Sequence, residues 1–127
     1  MAVKNYQLPQ AISDMGPLVG PQTLILSLLN GITSEDDLAR AFGPEKVPYA
    51  MILGIDAVRD GNHTRYSSTG RISFGDAHNT DGAWSPRVSR IATFFTRTGI
   101  SFDVPAYMIR TLWYKFMINV GINQVSA

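Results

Sequence analysis

The sequence predicts an α/β fold: the late strands of a doubly wound sheet, then the first helices of an all-α second domain. Three observations carry this. Two long apolar runs, residues 23–29 (TLILSLL) and 47–58 (VPYAMILGIDAV), are continuous rather than alternating, the pattern of strands covered on both faces. Helical patterns precede and separate them, so strand and helix alternate as in a doubly wound sheet. Beyond a turn-rich stretch at 75–83 (GDAHNTDGA), the pattern turns mainly helical.

In chain order, Met1-Ala2-Val3 reads as the tail of a buried strand and Lys4-Asn5 as the turn leaving it. Leu8, Ala11, Ile12 and Met15 follow helical spacing, with Pro9 tolerated in the first turn and Gly16-Pro17 ending the run. Residues 23–29 form a parallel strand between Gly20-Pro21 and Asn30-Gly31. Thr33 or Ser34 caps the next helix, Asp36 and Asp37 are exposed acids suiting its dipole, and Phe42-Gly43-Pro44 stops it. After the strand at 47–58, Asp60-Gly61 signals a hairpin leading to shorter strands at 63–67 and, past Thr69-Gly70, at 71–74. These form an antiparallel edge.

The stretch at 75–83 marks a boundary between a first domain at 1–79 and a second at 80–127. Ser85 caps a helix with Pro86 at its first position. Val88, Ile91, Ala92 and Phe95 are its buried face, Arg87, Arg90 and Arg97 its wet side, and Gly99 its end. Residues 100–104 are an extended link, and Pro105 opens a last helix running to Ala127.

That last helix carries Met108, Ile109, Leu112, Trp113, Phe116, Met117, Ile118, Val120 and Ile122 on nearly every face, which reads as a buried helix. Lys115, Asn119 and Asn123 break the pattern at i, i+4 and i+8, along one narrow stripe. Each buried polar group left unpaired costs about 1–3 kcal/mol, so the stripe needs partners. Two readings meet that need: the amides bond to a neighbouring helix while the lysine reaches water, or all three face a polar cleft. Lys4, Asn30 and Ala57 each fall at or near the carboxyl end of a predicted strand, where ligands of open α/β sheets lie. Taken singly, Lys4 also fits a solvated loop and Asn30-Gly31 a plain turn.

The run Trp113-Tyr114-Lys115-Phe116 followed by Asn119 and Asn123 resembles the W-x-K-[LF]-x-x-N-x-x-x-N signature of the ketopantoate reductases (2-dehydropantoate 2-reductases). Val3-Lys4, Asn30-Gly31 and Ala57-Val58-Arg59-Asp60-Gly61 agree in order, so the likeness spans essentially the whole chain. The resemblance implies a Rossmann-like domain, NADPH as cofactor and reduction of 2-dehydropantoate to pantoate in pantothenate and coenzyme A biosynthesis. It implies that Lys4 and Asn30 contact the dinucleotide, that Ala57 adds backbone contact, and that Asn30 also approaches the substrate. Asn119 and Asn123 would hold the substrate's hydroxyl and carbonyl.

Lys115 is the expected general acid: hydride addition builds negative charge on the ketone oxygen, which an ammonium stabilises and protonates. The family's Gly-rich turn, G-x-G-x-x-G, appears nowhere in the chain. A carboxylate and a serine supplied by later helices in the family would fall beyond Ala127. The resemblance thus implies a middle portion of a reductase, inactive alone. A non-catalytic remnant that self-associates and a reductase of another 2-keto acid are the alternatives.

Composition narrows the remaining classes. Charged residues make up 17% of the chain, below the roughly 25% usual for soluble domains, so polar surface is short. A larger protein from which the segment is taken, or homo-oligomerisation through the sheet edge and apolar helices, would cover the excess. A net charge of +1 with scattered basic residues suggests neither nucleic acid nor an anionic membrane. With no cysteine, and with His63 and His78 apart in turn-like sequence, no metal site is expected. The first ten residues lack a signal-peptide core and no apolar run approaches a membrane span, so a cytoplasmic protein is expected.

Overall fold

The computed structural model describes residues 1–125, with side chains through residue 122. Four helices, α1 (Leu8–Met15), α2 (Ser34–Phe42), α3 (Pro86–Thr98) and α4 (Met108–Val125), accompany three strands, β1 (Tyr49–Asp60), β2 (His63–Gly75) and β3 (Phe102–Asp103). The strands form a sheet in the order β1-β2-β3, antiparallel between β1 and β2 and parallel between β2 and β3. The α/β class therefore holds, and the short β3 lies in what reads from sequence as an extended link. Among the described residues no helix is long and apolar enough to cross a membrane.

The run 23–29 is extended, but it is not a laddered strand. The Met1 nitrogen donates to the Leu26 carbonyl at 2.6 Å and the Leu28 N–H donates to the Met1 carbonyl at 2.9 Å, the bond pattern of a parallel pair. On its other side the Ile25 N–H donates to the Lys46 carbonyl at 2.8 Å. The next bond of that pair would come from residue 48, which is a proline and has no N–H to give. The run thus lies between two neighbours with too few bonds to make a ladder.

Its side chains do alternate between two layers. Leu24, Leu26 and Leu28 pack against the cluster of Ala50, Phe74, Val88, Ile91, Ala92 and Phe95, while Ile25 and Leu29 join Leu8, Leu38 and Val47. Helix α3 covers one face and α1 with α2 the other, which is why residues 24–29 are apolar at every position but Ser27. At the centre of the first cluster, Phe74 and Phe95 meet edge to face at 5.4 Å and both touch the ring of Phe102.

Local signals fix the ends of α3. Ser85 Oγ accepts from the Val88 N–H and Pro86 takes the first turn. At the far end Gly99, at φ 69°, donates to the Thr96 carbonyl while the Ile100 N–H donates to Phe95, a Schellman closure. Its arginines are not all solvated, however. Arg87 pairs with Asp76 and donates to the Pro44 carbonyl at 2.7 Å, and Arg90 donates to the Gln22 carbonyl at 3.1 Å.

The two short edge strands expected at 63–67 and 71–74 are one long strand, β2, paired with β1 from Tyr49↔Gly75 to Asp60↔His63. Gly61, at φ 57° in the first central position of the turn, suits a type II′ hairpin. Continuity past Gly70 is possible because it and Gly54 both adopt positive φ, bending the ribbon without breaking it. From Leu53 to Thr69 the ribbon is exposed on both sides.

Helix α4 departs most from expectation. It starts at Met108, not Pro105, because the Pro105 carbonyl accepts from Asn79 Nδ2 and Tyr107 bridges His78. Residues 126 and 127 lie outside the described residues. Among the described side chains of α4 only Met108 and Leu112 are buried, against Met51, whereas Trp113, Tyr114, Met117, Ile118 and Val120 are exposed. The helix packs chiefly on β1 and β2, and those two strands cover a single face.

Candidate functional site

Two groups of the expected residues come together, each around one end of the loop from Asn30 to α2. Lys4 and Asn30 line one open cleft of about 500 Å³, with Gln7 and the backbone of 2–5 between them. The Lys4 backbone sets the floor of this cleft: its N–H donates to Gln7 Oε1 at 3.0 Å and its carbonyl accepts from the Gln7 N–H at 2.9 Å. Both side chains are exposed, an ammonium and an amide facing open space. Ala57 is not among the residues lining the cleft. It lies in the exposed ribbon, paired with Tyr66 beside a bulge at Asp56/Ala57 and short of the end of β1.

On α4, Lys115 and Asn119 are both half-buried, one turn apart. The side chain of Asn123 lies outside the described residues. Met108 and Leu112, the two turns before Lys115, pack with Met51, Tyr49 and Ile32. Ile32 belongs to the loop that starts at Asn30 and ends at α2, and Lys115 follows Leu112 by about one turn of α4. Burial pulls the Lys115 ammonium below its ordinary value, and the carboxylate of Glu35 acts in the opposite direction.

Glu35 is the residue that sequence reasoning missed. Asp36 and Asp37 are the acids of this helix expected to be exposed; Glu35, not among them, is only 5% exposed. Helix spacing holds the missing signal: Glu35 shares a face with Leu38 and Phe42, at i+3 and i+7, whereas Asp36 does not. Ser34, expected as a possible cap, turns inward instead and donates to Glu35 Oε2 at 3.0 Å. Thr33 takes the cap position without a side-chain bond to the helix.

Ser27 and Ser34 hydroxyls meet at 2.7 Å, and since Ser34 gives its proton to Glu35, Ser27 donates to Ser34. The Leu29 N–H donates in turn to Ser27 Oγ at 3.5 Å, so a buried relay of donors ends on the carboxylate. Burial pushes Glu35 above the ordinary carboxyl range. Bonds from its own N–H, the Ser34 hydroxyl and the Ala50 N–H hold it back, all favouring the ionised form.

The chain resembles known proteins along its whole length. Residues 1–79 match the family model described as ketopantoate reductase PanE/ApbA. Over all 127 residues the chain is 27% identical to a 2-dehydropantoate 2-reductase of Halobacterium salinarum, of which it spans 41%. Among solved structures, the 2-dehydropantoate 2-reductase from Geobacter metallireducens GS-15 superposes with a TM-score of 0.79 at 25% identity, over 94% of this chain and 38% of that one. The enzyme of the same name from Methylococcus capsulatus gives 0.76 at 25%, over 98% and 39%. The chain thus spans about two fifths of the relatives it matches. With the family model covering more than half of its length, the chain belongs to the ketopantoate reductase PanE/ApbA family.

Proposed function

We propose that the protein carrying this chain reduces 2-dehydropantoate to pantoate with NADPH, with Lys115 as the general acid. The observation that carries the reading is the placement of Lys115. It is a half-buried ammonium on α4, about one turn beyond Leu112, whose cluster includes Ile32 of the loop after Asn30. Lys4 and Asn30 fit an anionic dinucleotide: one supplies a cation, the other an amide that can both donate and accept. Ala57 is assigned backbone contact with the same cofactor.

The nicotinamide supplies a hydride to the keto carbon. Lys115 stabilises the charge that develops on the ketone oxygen and gives that oxygen its proton. Its depressed proton affinity favours this delivery, since a less basic ammonium is a stronger acid. Asn119, one turn on, is assigned the substrate's polar groups together with Asn123. On this reading residues 1–79 belong to the dinucleotide-binding domain and 80–127 begin the substrate domain, a division supported by where the family model ends. The reading places the enzyme in the cytoplasm as a homo-oligomer.

Because the chain has no Gly-rich phosphate turn, no turnover is proposed for it alone, and the test belongs on the protein in its full natural length. Lys115→Ala should lower kcat for 2-dehydropantoate by about 10²–10⁴-fold while leaving the nucleotide Kd within a few-fold. A kcat within a few-fold of the unmutated enzyme would overturn the assignment.

A further inference from the structure

We propose that Glu35 is a positioning residue for this reaction, its buried carboxylate set near Lys115 as the anion that keeps the acid charged. The proposal rests on the reading of Lys115 as the acid and adds the group that controls it. Three features carry it.

First, Glu35 is a buried acid set at the end of a chain of donors. It is 5% exposed, and a directed relay from the Leu29 N–H through Ser27 and Ser34 terminates on it. A purely structural link between α2 and the run 23–29 needs only the two serines, which already bond each other at 2.7 Å. An ionised carboxylate at the end adds a charge whose burial is costly unless a cation answers it.

Second, packing brings that cation near. Ile32, three residues before Glu35, packs against the cluster that Met108 and Leu112 of α4 form with Met51. Lys115 follows one turn later on α4. Third, the groups around the pair are few. Glu35, on α2, is the one charged group that acts on Lys115 among the described residues. Tyr49 of β1 is the other ionisable side chain in the shared cluster, and Asp36 is the charge acting on Glu35 from its own helix.

Lys115 and Glu35 are not in direct contact, since no ion pair within 4.0 Å joins them among the described residues. The carboxylate therefore acts across a gap. It keeps the ammonium protonated against desolvation without neutralising it, which leaves the N–H groups free for a substrate oxygen.

The test is the pH dependence of trace acetylation at Lys115, read by peptide mass spectrometry on the full-length protein, beside the alkaline limb of its kcat/KM profile. Removing the negative charge destabilises the ammonium, so Glu35→Gln should move the Lys115 midpoint to lower pH by half a unit or more. The alkaline limb should move in the same direction. Glu35→Asp, whose carboxylate is drawn back, should fall between, and it carries the test if the glutamine variant does not fold. Asp36→Asn should leave the Lys115 midpoint in place. A Lys115 midpoint unchanged in Glu35→Gln, or in Glu35→Asp where only that variant folds, overturns the proposal. The acetylation readout needs no turnover, so a failed coupling and a failed catalytic assignment of Lys115 give different results.

Discussion

At the scale of single residues, Glu35 shows how burial converts an ordinary helix acid into a pH-sensitive element. Its folded-state proton affinity is raised above the unfolded value of 4.5, so the folded chain binds the proton more tightly than the unfolded chain does. Its contribution to stability is fully present below pH 4.5 and is lost as pH rises through the folded value. Lys115 behaves in the opposite sense and in another window. Its affinity is lowered from 10.5, so its contribution is present above that pH and is lost as pH falls through the folded value. Urea denaturation of Glu35→Gln across pH 4 to 7 should show a flatter stability profile than the unmutated chain, with the variant gaining relative stability toward neutrality. Parallel profiles would mean that Glu35 titrates alike in the folded and unfolded states.

At the scale of elements, legibility follows how local the determinants are. Helix α3 was readable almost to the residue because Ser85, Pro86 and Gly99 act on their own backbone neighbours. The apolarity of 23–29 was readable too, since alternate side chains serve two clusters, but its missing ladder depends on Pro48, which lies far off in sequence. Lys4 and Asn30 were readable as loop residues after apolar stretches, and the structure sets both on one cleft. Glu35 was hidden because three acids in a row look alike until the helix phase is worked out. In the ribbon, Thr69-Gly70 read as a turn, whereas the strand runs through it.

That misreading makes a prediction about β2. Gly70 sits at φ 68°, and a Cβ there would lie 2.5 Å from the Leu53 carbonyl oxygen. At Gly54, φ 70°, the nearest atom would be the Gly70 Cα at a comfortable 3.9 Å. Gly54→Ala should therefore cost only the positive-φ penalty, about 1–2 kcal/mol. Gly70→Ala should cost more, roughly 2–4 kcal/mol in total, because the backbone must also move. Hydrogen exchange should localise the loss to the ribbon, with amides of residues 55–69 losing protection while those of α3 keep theirs. Equal effects of the two substitutions would show that the close approach to Leu53 is not felt.

At the scale of the whole molecule, the chain exposes more apolar surface than its charge content can balance. Trp113, Tyr114, Met117, Ile118 and Val120 lie outward on α4, Ile55, Val58 and Tyr66 on the ribbon, and Leu24, Leu26, Leu28 and Phe94 line a groove beside α3. Patches of this kind on a chain of 127 residues call for cover, from another copy or from the rest of a longer protein. The residues on α4 are the densest, five within eight positions, and they share a helix with the proposed acid. Association through α4 would bury them as core residues are buried, each contributing about 1.5–3 kcal/mol when fully covered. The chain on its own should therefore run as a dimer or larger species in size-exclusion chromatography with light scattering at tens of micromolar. Replacing Trp113 and Met117 together by Glu should shift it toward monomer without loss of the α3 core, because neither side chain belongs to the three buried clusters. Helical content by circular dichroism would confirm that the fold survives the change. A monodisperse monomer for the unmutated chain would show that the exposed face of α4 is tolerated in water, and the proposed oligomer would then need another surface.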